Sequence, residues 1–280
     1  MSVRKYFEIF TDIYRAYALG AHGWHFGIWD NGINTHEESL LRSNERLLED
    51  IEITSNTSIL DMGCGDGGFA AWAASKFGCR VTGITIVPEH AALAQDLVHE
   101  RGVSYLCEFM VMDMLNAKLP AETFDIVTNQ ESLCYAVDTA AYLNQVKRIL
   151  KPGGFWRAMA FSIKDKLLSD HEKRWYEEVR SGFHIPSLLP ERRIKEILRQ
   201  SGYSSYITRD ISRQTYPTAH CLMRLAIDPR TPDEVRSSRE ITSREAADRS
   251  YHLNHFRAVW SFCRGLTEGC FRYCWYSACK

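Results

Sequence analysis

The segment Ser58 to Gly68 constrains this chain more than any other. Ser58-Ile59-Leu60-Asp61-Met62 reads as a strand, and Gly63-Cys64-Gly65-Asp66-Gly67-Gly68 follows it at once. The alanine-rich stretch Phe69 to Phe77 then reads as a helix. Glycines at a strand-to-helix junction permit a tight turn and leave bare backbone, with helix N–H groups facing whatever binds there. A chain that opens with such a unit is directed toward a layered α/β architecture.

The residues that follow keep the same rhythm. Arg80 to Ile86 makes a second strand, and Pro88 sits in the first turn of a helix that runs to Glu100. Leu106 to Met112 and Phe124 to Thr128 are strands three and four. Thr139 to Leu150 is a helix closed by Lys151-Pro152-Gly153-Gly154, after which Phe155 to Ser162 makes strand five. A helix over Glu191 to Gln200, a strand near Tyr203 to Ile211 and a last strand over Phe271 to Cys279 complete the series. Short apolar runs alternating with helical patterns predict a mostly parallel sheet.

Three segments stand outside that rhythm. Residues 1–50 hold an amphipathic helix from Tyr6 to Leu19, the aromatic knot Trp24-His25-Phe26-Gly27-Ile28-Trp29 and a second helix. This is read as an N-terminal helical cap, ahead of a main domain over 51–280 with insertions at about 164–190 and 216–265. Insertions of this size form lids or substrate walls, expected over the carboxyl ends of the strands. The first helix is suited either to close over a ligand or to dock on a second subunit as a homo-oligomer contact.

Composition removes several classes of partner. With 34 basic and 35 acidic residues in 280, the formal charge of −1 argues against nucleic acid or an anionic membrane surface. No stretch is apolar enough for a membrane span. Nine cysteines are scattered without a C-x-x-C pair, so neither a disulfide framework nor a metal cage is indicated. Cys270 and Cys274 are expected on one face of the last strand, as packed thiols. A reduced, cytoplasmic protein without a metal is the expectation.

Gly63-x-Gly65-x-x-Gly68 also satisfies the dinucleotide fingerprint, so NAD is the competing ligand. That reading wants an acid at the end of strand two, where this chain has Thr85-Ile86-Val87. Asp61 stands just before the glycines, where it can serve a ligand ammonium but not a pyrophosphate. Leu150-Lys151-Pro152-Gly153-Gly154 leads from a helix into strand five.

Together these residues resemble the class I S-adenosylmethionine-dependent methyltransferases, over roughly residues 57–162. The resemblance implies a Rossmann-like methyltransferase fold: α/β, a seven-stranded, mostly parallel sheet with the last strand antiparallel, plus helical lid insertions. It implies that Gly63, Cys64 and Gly65, with Asp61, hold the methionine part of S-adenosylmethionine. Gly83-Ile84-Thr85-Ile86 is similar to the cyclopropane-synthase-like branch, which implies ribose contacts from Thr85 and Ile86. His90 stands where that branch often carries glutamine, and is assigned to the same part of the cofactor. Asp113 and Met114 fall where the family recognises adenine. Asn129-Gln130-Glu131 follows strand four, beside the transferable methyl, with Asn129 toward the cofactor and Glu131 toward the reacting atoms.

Methyl transfer is an in-line displacement that depends on near-attack positioning. A base is needed only where the acceptor sheds a proton. The acceptor is therefore to be read from the walls, where rings concentrate: Trp24, Phe26 and Trp29, then Trp175, Tyr176 and Phe183. Ring faces stabilise cations, including a carbocation formed when an alkene attacks the methyl. Large aromatics also pack cores and interfaces, so each ring has two readings. The histidines of the variable segments, His25, His171, His184, His220, His252 and His255, can each take a proton from a phenol or amine, and His25 and His184 join Glu131 as catalytic candidates.

A narrower resemblance, to the terpenoid C-methyltransferases, rests on Trp24 to Asp30, Asn129-Gln130-Glu131-Ser132 and Phe183-His184-Ile185. Geranyl diphosphate methyltransferases of that group place a glutamate just before the last element, where this chain has Ser181-Gly182. Arg174, Arg180, Arg192 and Arg193 are available to a diphosphate, but no acidic metal motif accompanies them. The expectation is C-methylation of a bulky, uncharged terpenoid (prenyl) alkene in secondary metabolism. It extends to a prenylated indole alkaloid with carbocation-driven cyclisation. The alternatives are O- or N-methylation of a small aromatic or amine, and a non-catalytic cofactor-binding module.

Overall fold

Strands β1 (Ser58–Met62), β2 (Arg80–Thr85), β3 (Cys107–Val111) and β4 (Phe124–Gln130) lie side by side in parallel. Beyond them come β5 (Leu150–Ile163), β6 (Ser205–Asp210) and β7 (Phe271–Cys279). One seven-stranded sheet results, in the order β3-β2-β1-β4-β5-β7-β6, with β7 antiparallel to both neighbours. The computed structural model describes residues 1–17, 23–226 and 243–280. Leu19 and residues 227–242 of the last insertion therefore lie outside the described residues.

The sheet is covered on both faces, as a parallel sheet of short apolar strands requires. On one side, α5 (Thr139–Ile149) and α7 (Glu191–Gln200) pack Leu143, Val146, Ile194 and Leu198 against Leu60, Val127 and Trp156. The other side carries α3 (Gly68–Phe77) and α4 (Pro88–Glu100), whose small alanines let the helix lie close to the strands. The segments outside the alternating pattern join this second side: α1 (Val3–Tyr17), α2 (His36–Leu47), α6 (Asp170–Gly182), α8 (Ser212–Ala226) and α9 (Ser243–Thr267). Among the described residues, no helix is long and apolar enough to cross a membrane.

Three local expectations are corrected. Strand five starts at Leu150 rather than Phe155, because Phe124 pairs with Leu150 while Ile126 pairs with Phe155. Lys151 to Gly154 is taken up as a bulge with Gly153 at φ +76°, a conformation that favours glycine. The last insertion begins at Ser212, four residues early, since Pro217 lies within α8 instead of breaking it. Cys270 and Cys274 do not share a face: Cys270 precedes β7 and packs with the α3 side, Cys274 with the α5 side.

The first helix turns its apolar side inward, burying Tyr6 and Phe10 completely within its own chain. Helix α2 starts from a capping box in which Thr35 and Glu38 satisfy each other's backbone.

Asn129 ties the centre of the sheet together. Its Nδ2 donates to Met62 O at 2.8 Å and to Ser132 Oγ at 2.7 Å. Its Oδ1 accepts from Trp156 Nε1 at 2.9 Å and from the Tyr142 hydroxyl. Replacing it with alanine strands two buried donors, each costing on the order of 1–3 kcal/mol. Asn129→Ala is expected to lower stability by about 2–4 kcal/mol. Urea unfolding checks this as a drop in midpoint at constant slope, and an unchanged midpoint would refute it.

Candidate active site

The glycine turn owes its sequence to close approach. At Gly63, φ is +89° and a Cβ would lie 2.4 Å from Ser132 Cβ. Any side chain there would push apart the ends of β1 and β4. At Gly65, φ is +53° and the Trp24 ring lies 3.6 Å from where a Cβ would be. Ile84 O accepts from both Gly63 N and Cys64 N, at 2.9 and 3.1 Å, which braces the turn on β2.

A cavity of about 360 Å³ opens over the carboxyl ends of β1, β2 and β4. On one side its wall is the glycine turn, Thr85 to Val87, Met112 to Leu115 and Gln130 to Ser132. The other side is aromatic and comes from the added segments: Phe7, Tyr14, Trp24, Phe26, Phe183 and Phe262, with Phe161 of β5. Four carboxylates line it, Asp61, Asp66, Asp113 and Glu131, whereas no lysine or arginine does so among the described residues. No group of three or more potential metal ligands occurs among the described residues either.

Glu131 is the junction of the two sides. It adopts φ +57°, a strained conformation for a non-glycine residue, directly after β4. Its Oε1 accepts from Phe26 N at 2.5 Å and from the Tyr273 hydroxyl at 2.9 Å. The surrounding wall screens it from bulk water, and this desolvation raises its carboxyl to about 8 despite both bonds. Asp61 is 3% exposed and accepts from Thr128 Oγ1 at 3.0 Å. Burial raises its carboxyl to about 7.

Most of the residues expected at the site line this cavity. Of those expected to hold the cofactor, these are Asp61, Gly63, Cys64, Gly65, Thr85, Ile86, His90, Asp113 and Met114. Glu131, His25, Trp24, Phe26 and Phe183 line it as well. Thr85 Oγ1 accepts from Val87 N, and Asp113 Oδ1 caps Leu115 N. Burial lowers His25 and His90 to about 4, so both imidazoles are neutral. His90 Nε2 is 3.0 Å from Thr11 Oγ1, which links α4 to α1.

Five expected residues are not brought to the cavity. Asn129 is fully buried in the network described above. Trp29 turns away and donates Nε1 to Thr218 Oγ1 at 2.9 Å. Trp175 is core, its ring centroid 4.0 Å from that of His171 in a tilted pair, behind Gly265. Tyr176 packs at the margin of the same cluster. His184, at φ +54°, lies outside the cavity against Tyr6, 5.4 Å between ring centroids.

The sequence reading missed Phe7, Tyr14, Tyr135 and Phe262 as wall residues, while His255, named with the variable-segment histidines, does line the cavity. Phe7 and Tyr14 stand seven apart on α1, a spacing that repeats one helix face, and this was the available signal. Tyr135 and Phe262 had none, because Tyr135 sits on a short turn and Phe262 of α9 is placed only by tertiary packing.

The shifted groups set a stability profile. A carboxyl raised in the folded state favours folding while protonated, and that contribution fades as pH rises through its folded value. The lowered histidines act only below their ordinary value of 6.5. Between pH 6.5 and 8, Asp61 and Glu131 are therefore expected to make the unliganded protein less stable as pH rises. Glu131→Gln keeps an acceptor for Phe26 and Tyr273 and should flatten the decline in thermal midpoint over that range. An equally steep decline in the variant would contradict the assignment.

Comparison with known proteins adds the following. Residues 60–157 match the family described as "Methyltransferase domain". Cycloartenol-C-24-methyltransferase 1 of Oryza sativa subsp. japonica is 26% identical over 220 residues, covering 76% of this chain and 62% of its own length. The chain thus spans about three fifths of the length of the sterol methyltransferases it matches. The structure of the [4+2]-cyclase SpnF superposes with a TM-score of 0.76 at 23% identity, over 99% of this chain and 94% of that one. Geranyl diphosphate C-methyltransferase from Streptomyces coelicolor A3(2), solved with Mg2+, geranyl diphosphate and S-adenosyl-L-homocysteine, superposes at 0.70. It is 17% identical, over 97% of each chain. These two likenesses establish the shared fold.

Proposed function

We propose that this chain, whose residues 60–157 carry a methyltransferase domain, transfers a methyl group from S-adenosylmethionine to a small hydrophobic acceptor. The observation that carries the reading is the single cavity that joins the glycine turn to an aromatic wall across Glu131.

The residues present suit the cofactor. Gly63 and Gly65 leave bare backbone, and Asp61 supplies a buried anion for the ligand ammonium. Trp24 Nε1 and Gln130 Nε2 are buried donors on cavity-wall residues with no hydrogen-bond partner among the described residues, suited to oxygen acceptors of the ligand. Thr85, Ile86 and His90 border the ribose side of the site, and Asp113 with Met114 the adenine side. S-adenosylmethionine, when bound, supplies an electrophilic methyl on a positively charged sulfur. Glu131 and Asp61 then face positive charge in a water-poor cavity, where a fixed anion acts strongly.

For the acceptor we favour the alkene of a terpenoid, extending to a prenylated indole that cyclises after methylation. Rings from both ends of the chain line the acceptor side and offer π-faces to a developing carbocation. The described wall has no lysine or arginine to hold a free diphosphate, which favours an uncharged prenyl group. The names of the sterol and geranyl diphosphate relatives denote methylation at carbon. His25 supports the second reading, O- or N-methylation, because a neutral imidazole in the wall can accept a phenol or amine proton. Nine unpaired thiols suit a reducing, cytoplasmic setting.

Purified protein incubated with methyl-labelled donor and prenyl-indoles tests the reading. The label is expected on carbon, and label on oxygen or nitrogen would select the second reading. Cyclisation without methyl consumption would make the chain a cyclase on this fold. Calorimetry is expected to show binding of S-adenosylhomocysteine, and its absence would overturn the reading.

Asp61→Ala should weaken that binding tenfold or more, about 1.4 kcal/mol. In the wild type, affinity should rise with pH through about 7, because the ligand ammonium favours the Asp61 carboxylate. A flat profile would remove Asp61 from the ligand.

A further inference from the structure

His255 of α9 is 1% exposed and forms part of the cavity wall. Its Nδ1 lies 2.9 Å from the Tyr6 hydroxyl, which lies 2.8 Å from the Tyr14 hydroxyl. Its Nε2 is buried and has no hydrogen-bond partner among the described residues. Buried polar atoms are nearly always paired, so an orphan nitrogen on a residue of the cavity wall points to a role with the ligand. The ring is gripped by other rings: Phe10 stacked at 4.4 Å, Phe183 edge-on at 5.6 Å and Tyr14 edge-on at 5.7 Å. Phe183 and Tyr14 line the same cavity.

Those surroundings fix the chemical state of the ring. Apolar packing drives the imidazole down to about 3, so it is neutral and carries a single proton. If Tyr6 donates to Tyr14, its oxygen is left to accept Nδ1–H, and Nε2 keeps a bare lone pair. In that arrangement the two tyrosines on α1 hold the tautomer whose basic nitrogen is the unpaired one, and it is the arrangement the inference below requires. Glu131 is less suited to receive the proton, since its Oε1 already accepts from Phe26 N and the Tyr273 hydroxyl.

We infer that His255 is the catalytic base of the proposed C-methylation, its bare Nε2 taking the proton that the methylated acceptor sheds, with Tyr6 as the positioning residue. This rests on the alkene reading above. Methylation of an alkene leaves one electron-deficient carbon on the acceptor. The neighbouring C–H bond then breaks, its electron pair closes a new C=C bond, and the proton forms N–H at Nε2. If an indole ring traps the cation first, the C–H pair at the joined ring carbon restores aromaticity and the proton takes the same route. A carbocation is a far stronger acid than imidazolium, so a weakly basic imidazole suffices. The stacked Phe10 ring and the Tyr6 oxygen then face the imidazolium that results.

Two measurements test this. In the unliganded protein, 15N NMR of the His255 ring is expected to show a protonated Nδ1 and a bare Nε2, and Tyr6→Phe should shift that equilibrium. A proton on Nε2 in the wild type would overturn the inference. In turnover with a prenyl-indole, His255→Gln should cut formation of the proton-loss product at least tenfold, with water-captured alcohol or isomeric alkenes accumulating. S-adenosylhomocysteine binding within twofold of wild type would show that the variant is folded. The same product at the wild-type rate in His255→Gln would also overturn it. Wild type that binds the cofactor product but methylates no alkene would refute the alkene reading and with it the base assignment, whereas a failure confined to His255 leaves that reading standing.

Discussion

One carboxylate oxygen holds the two sides of the site in register. Glu131 Oε1 receives the backbone N–H of Phe26, from the aromatic segment near the start, and the hydroxyl of Tyr273, from the last strand. These groups lie 105 and 142 residues away in sequence. The left-handed backbone at Glu131 turns the side chain back over the end of β4, where it can reach both. Such strain persists only where surrounding contacts over-determine it. Here the contacts are also those that bring Phe26 into the cavity wall.

The same carboxylate exemplifies the electrostatics of the cavity. Four acids and no lysine or arginine among the described residues make its wall unbalanced in one direction. Burial answers that imbalance by raising Asp61 to about 7 and Glu131 to about 8, which partly neutralises them in the empty cavity. A cationic ligand reverses the preference, because its charge stabilises the ionised forms that desolvation opposes. The lowered histidines follow the same logic with opposite sign: His25, His90 and His255 add no positive charge that would compete with the ligand's. The cavity is thus disposed toward positive charge through what it buries.

Much of this was legible in the sequence, and the boundary of legibility is physical. Glycine spacing exposed the turn because a Cβ at Gly63 cannot coexist with Ser132. Helices α4 and α7 and strand β7 begin where the sequence pattern placed their starts, at Pro88, Glu191 and Phe271. The side of the cavity around the glycine turn could be read because it is built from residues adjacent to strand ends, whose direction the sheet fixes. The aromatic side could not, because a helical ring meets the cavity or the core according to how its helix is rotated. Trp29 and Trp175 were expected in the wall and lie elsewhere, whereas Phe7 and Phe262 stand in it. Asn129 misled for another reason. It sits at the correct end of β4, but Trp156 and Tyr142 claim its oxygen from behind.

Packing and function are not alternatives for the rings of the added helices. Trp175 and Val179, four residues apart on α6, and Phe183 at its end fall at helical spacing on one stripe, and all three are buried. The first two anchor that stripe in the core, and the third emerges at the cavity. The same division appears on α1, where Tyr6 and Phe10 are wholly buried while Phe7 and Tyr14 reach the wall. A ring held by such a stripe has lost its rotamer freedom on folding, so presenting its face to a bound cation needs little further ordering. The insertions are therefore most simply understood as extensions of the core that end in a binding surface. Their aromatic content follows from having to satisfy both demands with the same side chains.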